Sequence, residues 1–231
     1  MSLARVSLVL VQALANSLAC TPPNKTQEKT RYHKDELYIL QIAPFIFKIH
    51  MTVAWICALF ESLYFLSDHF SLSYLSPTST LICPKSSNPN IHTSPTFVIG
   101  AVAVVLGSYI RLDCFRTLGE LFTFDLTIHP NHRLITSRFY AYVRHPAYTG
   151  SMLMIMGLGL SHLTKGSWFT ECGPLSANSS AIVVCAAWWM WTLAVGLSRA
   201  AAEDAQMKKL FPDDWERYAA NVQWWFFPGL A

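Results

Sequence analysis

Five apolar stretches, at Leu3 to Cys20, Ile42 to Leu66, Thr96 to Ile110, Gly150 to Leu163 and Ala181 to Leu197, most constrain what this chain can fold into. The second and fifth are long enough to cross the roughly 30 Å of bilayer hydrocarbon, and the third and fourth are expected to extend into their flanks. None carries the sustained polar stripe of a surface helix in a water-soluble protein. Composition points the same way. Of the 231 residues 52% are hydrophobic and only 13% charged, where soluble domains carry about 25% charged residues. So few charges cannot cover a water-facing surface. The net charge of +3 is small and dispersed, which argues against a nucleic-acid partner. The expected fold class is therefore all-α, a transmembrane bundle of about five spans.

Basic residues in the loops set its orientation. Lys25, Lys29, Arg31 and Lys34 lie in the first loop, Arg111, Arg116, Arg133, Arg138 and Arg144 in the third, and Arg199, Lys208, Lys209 and Arg217 in the tail. The N-terminus has Arg5, the second loop Lys85 and the fourth Lys165. With five spans the basic-rich segments all fall on one side, which the positive-inside rule makes cytosolic. The first stretch, with Arg5 before it and Ala13-Leu14-Ala15 near its end, also resembles a signal peptide. Retention as a first span is preferred because the loop charges then alternate cleanly.

The six cysteines show no metal-ligand spacing and are read as structural. A lumenal Cys83–Cys172 disulfide is left open without support. Residues Arg199 to Asn221 read as a helix with apolar positions at Met207, Leu210, Trp215 and Tyr218. The Trp224-Trp225-Phe226-Phe227 cluster is expected to anchor the tail at the headgroup level.

Two constellations carry candidate chemistry. Arg144-His145-Pro146, directly before the fourth span, supplies two cationic groups and a proline suited to a first helical turn. A helix N-terminus there would favour a carboxylate. A plain basic flank before a helix reads equally well. In the second, Arg199 and Glu203 are four apart and share a helix face. They are either an exposed ion pair worth about 0.3–0.5 kcal/mol or ionisable groups kept for use at the bilayer edge.

Together these features resemble the isoprenylcysteine carboxyl methyltransferase family. The pattern runs from Leu118-Gly119 and Phe122 through Leu134-Ile135-Thr136-Ser137, Phe139, Tyr140, Tyr142, Arg144-His145-Pro146, Tyr148 and Gly150. It ends with Arg199, Glu203, Phe211-Pro212, Trp215 and Tyr218, and covers residues 107 to 228. The resemblance divides the chain into N-terminal spans and loops (1–106) and a C-terminal catalytic region (107–231). It implies S-adenosyl-L-methionine as cofactor, in a cytosol-facing C-terminal pocket contacted by His132, Arg133, Leu134, Ile135, Tyr140, Arg144, His145, Pro146, Ala147, Tyr148 and Glu203. Arg199 is implied as the substrate-side cation, with Arg199 and Glu203 as the catalytic pair. The implied partners are prenylated CaaX-type proteins or prenylcysteine together with the lipid bilayer, and the implied location is the endoplasmic reticulum membrane.

Relatives of the same superfamily methylate phospholipid amines, and others are reductase-like or non-catalytic, so these remain alternatives. No G-x-G-x-x-G fingerprint follows a strand, which argues against a Rossmann-type domain. The chain departs from the family at Asp204, where a second glutamate is common, and at Arg138, where glycine is common. The Ser76 to Pro95 loop has no counterpart.

Overall fold

The computed structural model describes residues 1–26, 29, 31–32, 41–69, 82–84, 89–175 and 178–229. Residues 76–81 and 85–88 of the Ser76 to Pro95 loop lie outside them, as does Lys34. The described residues form helices α1 (Leu3–Cys20), α2 (Ala43–His69), α3 (Pro95–Leu118), α4 (Pro146–His162), α5 (Trp168–Glu171), α6 (Asn178–Leu210) and α7 (Pro212–Asn221). Two 3-10 turns, Gly119–Leu121 and Arg138–Ala141, lie between α3 and α4. No strand occurs among the described residues. The fold is all-α.

Local sequence explains the helix boundaries. The Ser2 hydroxyl accepts from Arg5 N and starts α1, and Ser94 accepts from Phe97 N with Pro95 in the first turn of α3. Each pairing satisfies a backbone N–H that has no partner inside its helix. Proline likewise opens α4 at Pro146 and α7 at Pro212. Pro212 also breaks the single Arg199–Asn221 helix expected from sequence, since it lacks the N–H and disfavours a helical residue before it. The fifth apolar stretch does not stop at Leu197 either. It continues without interruption to Leu210, giving α6 33 residues, or about 50 Å.

Helices α1, α2, α3 and α6 are long and apolar enough to cross a membrane. The fourth apolar stretch forms α4, whose 17 residues reach about 26 Å. It packs along α3 through glycines. A Cβ on Gly107 would lie 2.5 Å from Gly150 O, and one on Gly157 would lie 2.6 Å from Gly100 O. The two backbones therefore touch at two places one heptad apart, the small-residue packing that apolar surroundings favour. Helix α1 packs against both α2 and α3. In α6, Ile182, Val183 and Met190 are exposed, a face suited to lipid.

The two ends of the bundle differ. At one, Arg5 and Glu61 form a buried ion pair, with Nε to Oε2 at 2.7 Å, and Arg5 also donates to His92 O. Glu61 Oε1 accepts from Trp168 N at 3.1 Å. Cys83 and Cys172 are joined by a disulfide beside them. The other end carries Arg31, the two 3-10 turns, the start of α4 and the end of α6.

Candidate active site

At this second end a cavity of about 200 Å³ opens between α2, α3, α4, α6 and the segment joining α3 to α4. Of the site residues implied by sequence, His132, Arg133, Leu134, Ile135, Tyr140, Arg144, His145, Ala147, Tyr148, Arg199 and Glu203 all line it. Pro146 does not. It is fully buried behind the wall, where its ring sets the first turn of α4.

The polar heart of the site is where α6 meets the start of α4. His145 Nδ1 lies 3.2 Å from Glu203 Oε2 and its Nε2 lies 2.9 Å from Asp204 Oδ1. Tyr148 donates its hydroxyl to Glu203 Oε1 at 2.6 Å, and Arg144 donates to Asp204 and, at 2.9 Å, to Gln223 O. Consecutive residues 203 and 204 thus fasten to consecutive residues 144 and 145. Burial alone would lower His145, but hydrogen bonds to Asp204 and Glu203 and the charges of both carboxylates lift it to about 9, so the ring is an imidazolium at neutral pH. His132 goes the other way, lowered by burial and by neighbouring His129.

Arg199 is only 5% exposed and donates to Phe124 O at 2.8 Å. Arg199 is therefore a buried residue and not an exposed surface cation. Helix α6 runs on to Leu210, and at Arg199 it lies against Phe124 of the segment joining α3 to α4. Deeper in the cavity, Arg111 donates to Ala19 O at 2.9 Å, Ala147 O at 3.2 Å and Ser151 Oγ at 2.6 Å. Phe47, Phe115 and Phe124 surround its guanidinium. Ile46, Phe47, Ile155, Trp188 and Val195 make the inner wall apolar.

The C-terminal aromatic segment is fastened back onto the start of α4. Trp224 O accepts from Arg144 N and Trp225 O from His145 N, both at 2.9 Å, and Phe226 O accepts from Thr149 Oγ1. Phe226 packs against Met152 and Ala200. The entry to α4 has N–H groups with no partner inside the helix, and the tail supplies their acceptors while burying its rings. Sequence reasoning missed this role, along with Arg111, His50 and Tyr32 as cavity residues. For His50, an ionisable residue within an apolar stretch was an available signal.

Comparison with known proteins adds to this geometry. Residues 98–209 match the family model described as the isoprenylcysteine carboxyl methyltransferase family, a range that carries all the cavity residues named from sequence. Together with the relatives below, this match supports the isoprenylcysteine carboxyl methyltransferase family for this chain. The chain is 29% identical over 126 residues to a probable protein-S-isoprenylcysteine O-methyltransferase of Oryza sativa subsp. indica, covering 54% of this chain and 57% of the relative. To protein-S-isoprenylcysteine O-methyltransferase B of Arabidopsis thaliana it is 27% identical, covering 53% and 55%. With the Schizosaccharomyces pombe protein-S-isoprenylcysteine O-methyltransferase it shares 26%, covering 51% and 43%. The chain thus spans about half the length of the curated relatives it matches. The matched region supplies most of the cavity, while α1, α2 and Tyr32 lie before it.

Proposed function

We propose that this protein transfers a methyl group from S-adenosyl-L-methionine to the carboxylate of a C-terminal prenylated cysteine, acting as a protein-S-isoprenylcysteine O-methyltransferase of the endoplasmic reticulum membrane. The observation that carries the reading is the convergence of the family-pattern residues on one cavity with a polar mouth and an apolar interior. The donor set suits the cofactor. Glu203 and the rings of Tyr140 and Tyr148 offer a carboxylate and aromatic faces to a cationic group, and Leu134 and Ile135 offer apolar surface. The cofactor, when bound, supplies an activated methyl group on a sulfonium.

The chain's own part follows from the acceptor. A carboxylate is already a nucleophile at neutral pH, so the site needs positioning and water exclusion more than a base. Arg199, buried at the cavity wall, would hold the acceptor carboxylate in a charge-assisted pair. His145 and Tyr148 hold the Glu203 carboxylate from two directions, so it faces the cavity in a fixed pose. The apolar wall of Ile46, Ile155, Trp188 and Val195 would take the prenyl chain from the bilayer side.

Two independent features support a cytosolic cavity and a lumenal opposite end. The cavity end carries Arg31, Arg116, Arg133, Arg138 and Arg144, as expected on the cytosolic side. The other end carries the Cys83–Cys172 disulfide, which persists in an oxidising lumen.

The deciding experiment gives the detergent-purified protein labelled S-adenosyl-L-methionine with either N-acetyl-S-farnesylcysteine or phosphatidylethanolamine. Base-labile methyl ester on the first is expected. Base-stable product on the second would redirect the assignment to a phospholipid methyltransferase, and no cofactor binding at all would sink both.

A further inference from the structure

Three tyrosines from separate parts of the chain line the cavity that Glu203 also lines, and one of them, Tyr148, donates to Glu203 Oε1. Tyr140 comes from the 3-10 turn and Tyr148 from α4, both within the family-matched region. The third, Tyr32, comes from the first loop, outside that region.

The loop is fastened in place. Arg31 and Thr127 form an antiparallel bridge, Tyr32 N donates to Leu126 O at 2.9 Å, and Arg31 Nη2 pairs with Asp125 Oδ1 at 3.3 Å. Upstream, Asn24 Nδ2 donates to Gly119 O at 2.7 Å and Phe122 O at 2.9 Å. Backbone and side-chain bonds therefore tie the first loop to the segment that carries the cofactor-side residues. Tyr32 is half-buried at this junction.

We propose that Tyr32 completes an aromatic cage with Tyr140 and Tyr148 about Glu203, and that this cage recognises the positive charge of the donor's sulfonium. The inference rests on the methyltransferase reading above. Aromatic faces attract a desolvated cation through their quadrupole, and cages of this kind recognise onium groups. Burial, and then the charge of Glu203, push the Tyr32 phenol above its usual range, so the ring remains neutral, the form that presents an intact aromatic face. The N-terminal half thereby contributes a binding residue rather than only membrane spans.

The test compares S-adenosylmethionine with S-adenosylhomocysteine, which shares every feature except the charged sulfonium. Dissociation constants are measured by calorimetry on the detergent-purified full chain and its Tyr32→Phe, Tyr32→Leu and Tyr32→Met variants. Tyr32→Phe should leave both affinities within about twofold. Tyr32→Leu should weaken the sulfonium ligand by about 3- to 30-fold and leave the neutral ligand nearly unchanged. Tyr32→Met, unbranched and similar in length, serves where the leucine variant does not fold, with the same expectation. Equal weakening of both ligands, or no change in either, overturns the cage. Failure of the wild-type protein to bind either ligand overturns the function reading and the cage with it.

Discussion

His145 Nε2 lies 2.9 Å from Asp204 Oδ1, tying the first turn of α4 to the C-terminal part of α6. This contact, with the Glu203 contact on the other ring nitrogen, raises His145 above its usual range against the lowering effect of burial. A group whose folded value is raised stabilises the fold in its protonated form. Its contribution is full below the unfolded value of about 6.5 and is lost as pH rises through about 9. The raised value corresponds to about 3 kcal/mol. Thermal melting in detergent should show Tm falling by roughly 6–10 °C between pH 6 and 9.5. In His145→Gln, which keeps an amide but cannot titrate there, most of that slope should vanish. An unchanged slope in the variant would show that other groups set it.

Asp204 serves Arg144 and His145 together, so its removal leaves His145 with Glu203 and Arg144 with the Gln223 carbonyl. Asp204→Ala should cost about 1–3 kcal/mol and move the midpoint of the pH-dependent melting toward lower pH. Asp204→Glu, one methylene longer and the residue common at this place in the family, should largely restore both. The readout is Tm against pH for the three proteins, and an Asp204→Ala protein with wild-type melting would contradict this account.

Much of this was legible in the sequence, and the parts that were not share a physical reason. Spacing alone left Arg144-His145-Pro146 and Arg199–Glu203 as open readings, and the family resemblance named the wider set within 132–148 and 199–203 that lines the cavity. Apolar length located the long helices, and the apolar stretch ending at Leu197 and the helix expected from Arg199 proved to be one continuous helix to Leu210. The tail's role was missed because its contribution is made by backbone carbonyls at 224–226, and no side-chain pattern announces a carbonyl's partner. Tyr32 and Arg111 reach the cavity only through tertiary pairing of loop 31–32 with 125–127 and of α1 with α3. The glycine contacts between α3 and α4 required knowing which helices are neighbours.

Those contacts predict a steric effect. A methyl on Gly107 would meet Gly150 O at 2.5 Å and Met154 N at 2.9 Å, both backbone atoms that cannot swing aside. Gly107→Ala should therefore destabilise the protein by about 1–3 kcal/mol. Gly196→Ala is the control, because its nearest new contact is Phe226 Cζ at 3.6 Å, an ordinary van der Waals distance. Equal melting temperatures for the two variants would mean that the helices do not approach this closely.

Arg138 has φ of 58°, a region that side-chain-bearing residues enter at a cost and glycine enters freely. Its guanidinium pairs with Asp113, whose side chain is 5% exposed. The chain thus carries backbone strain in the turn beside Tyr140, and the same residue supplies the cation that pairs with a buried carboxylate. These two roles predict opposite signs in two backgrounds. Arg138→Gly in the wild-type protein relieves strain but strips the cation from Asp113, so Tm should fall. In an Asp113→Asn background no charge is left to strand, and the same substitution should raise Tm. Melting curves for the four proteins of this cycle decide it. A change of the same sign in both backgrounds would show that strain and ion pair are not linked through Arg138.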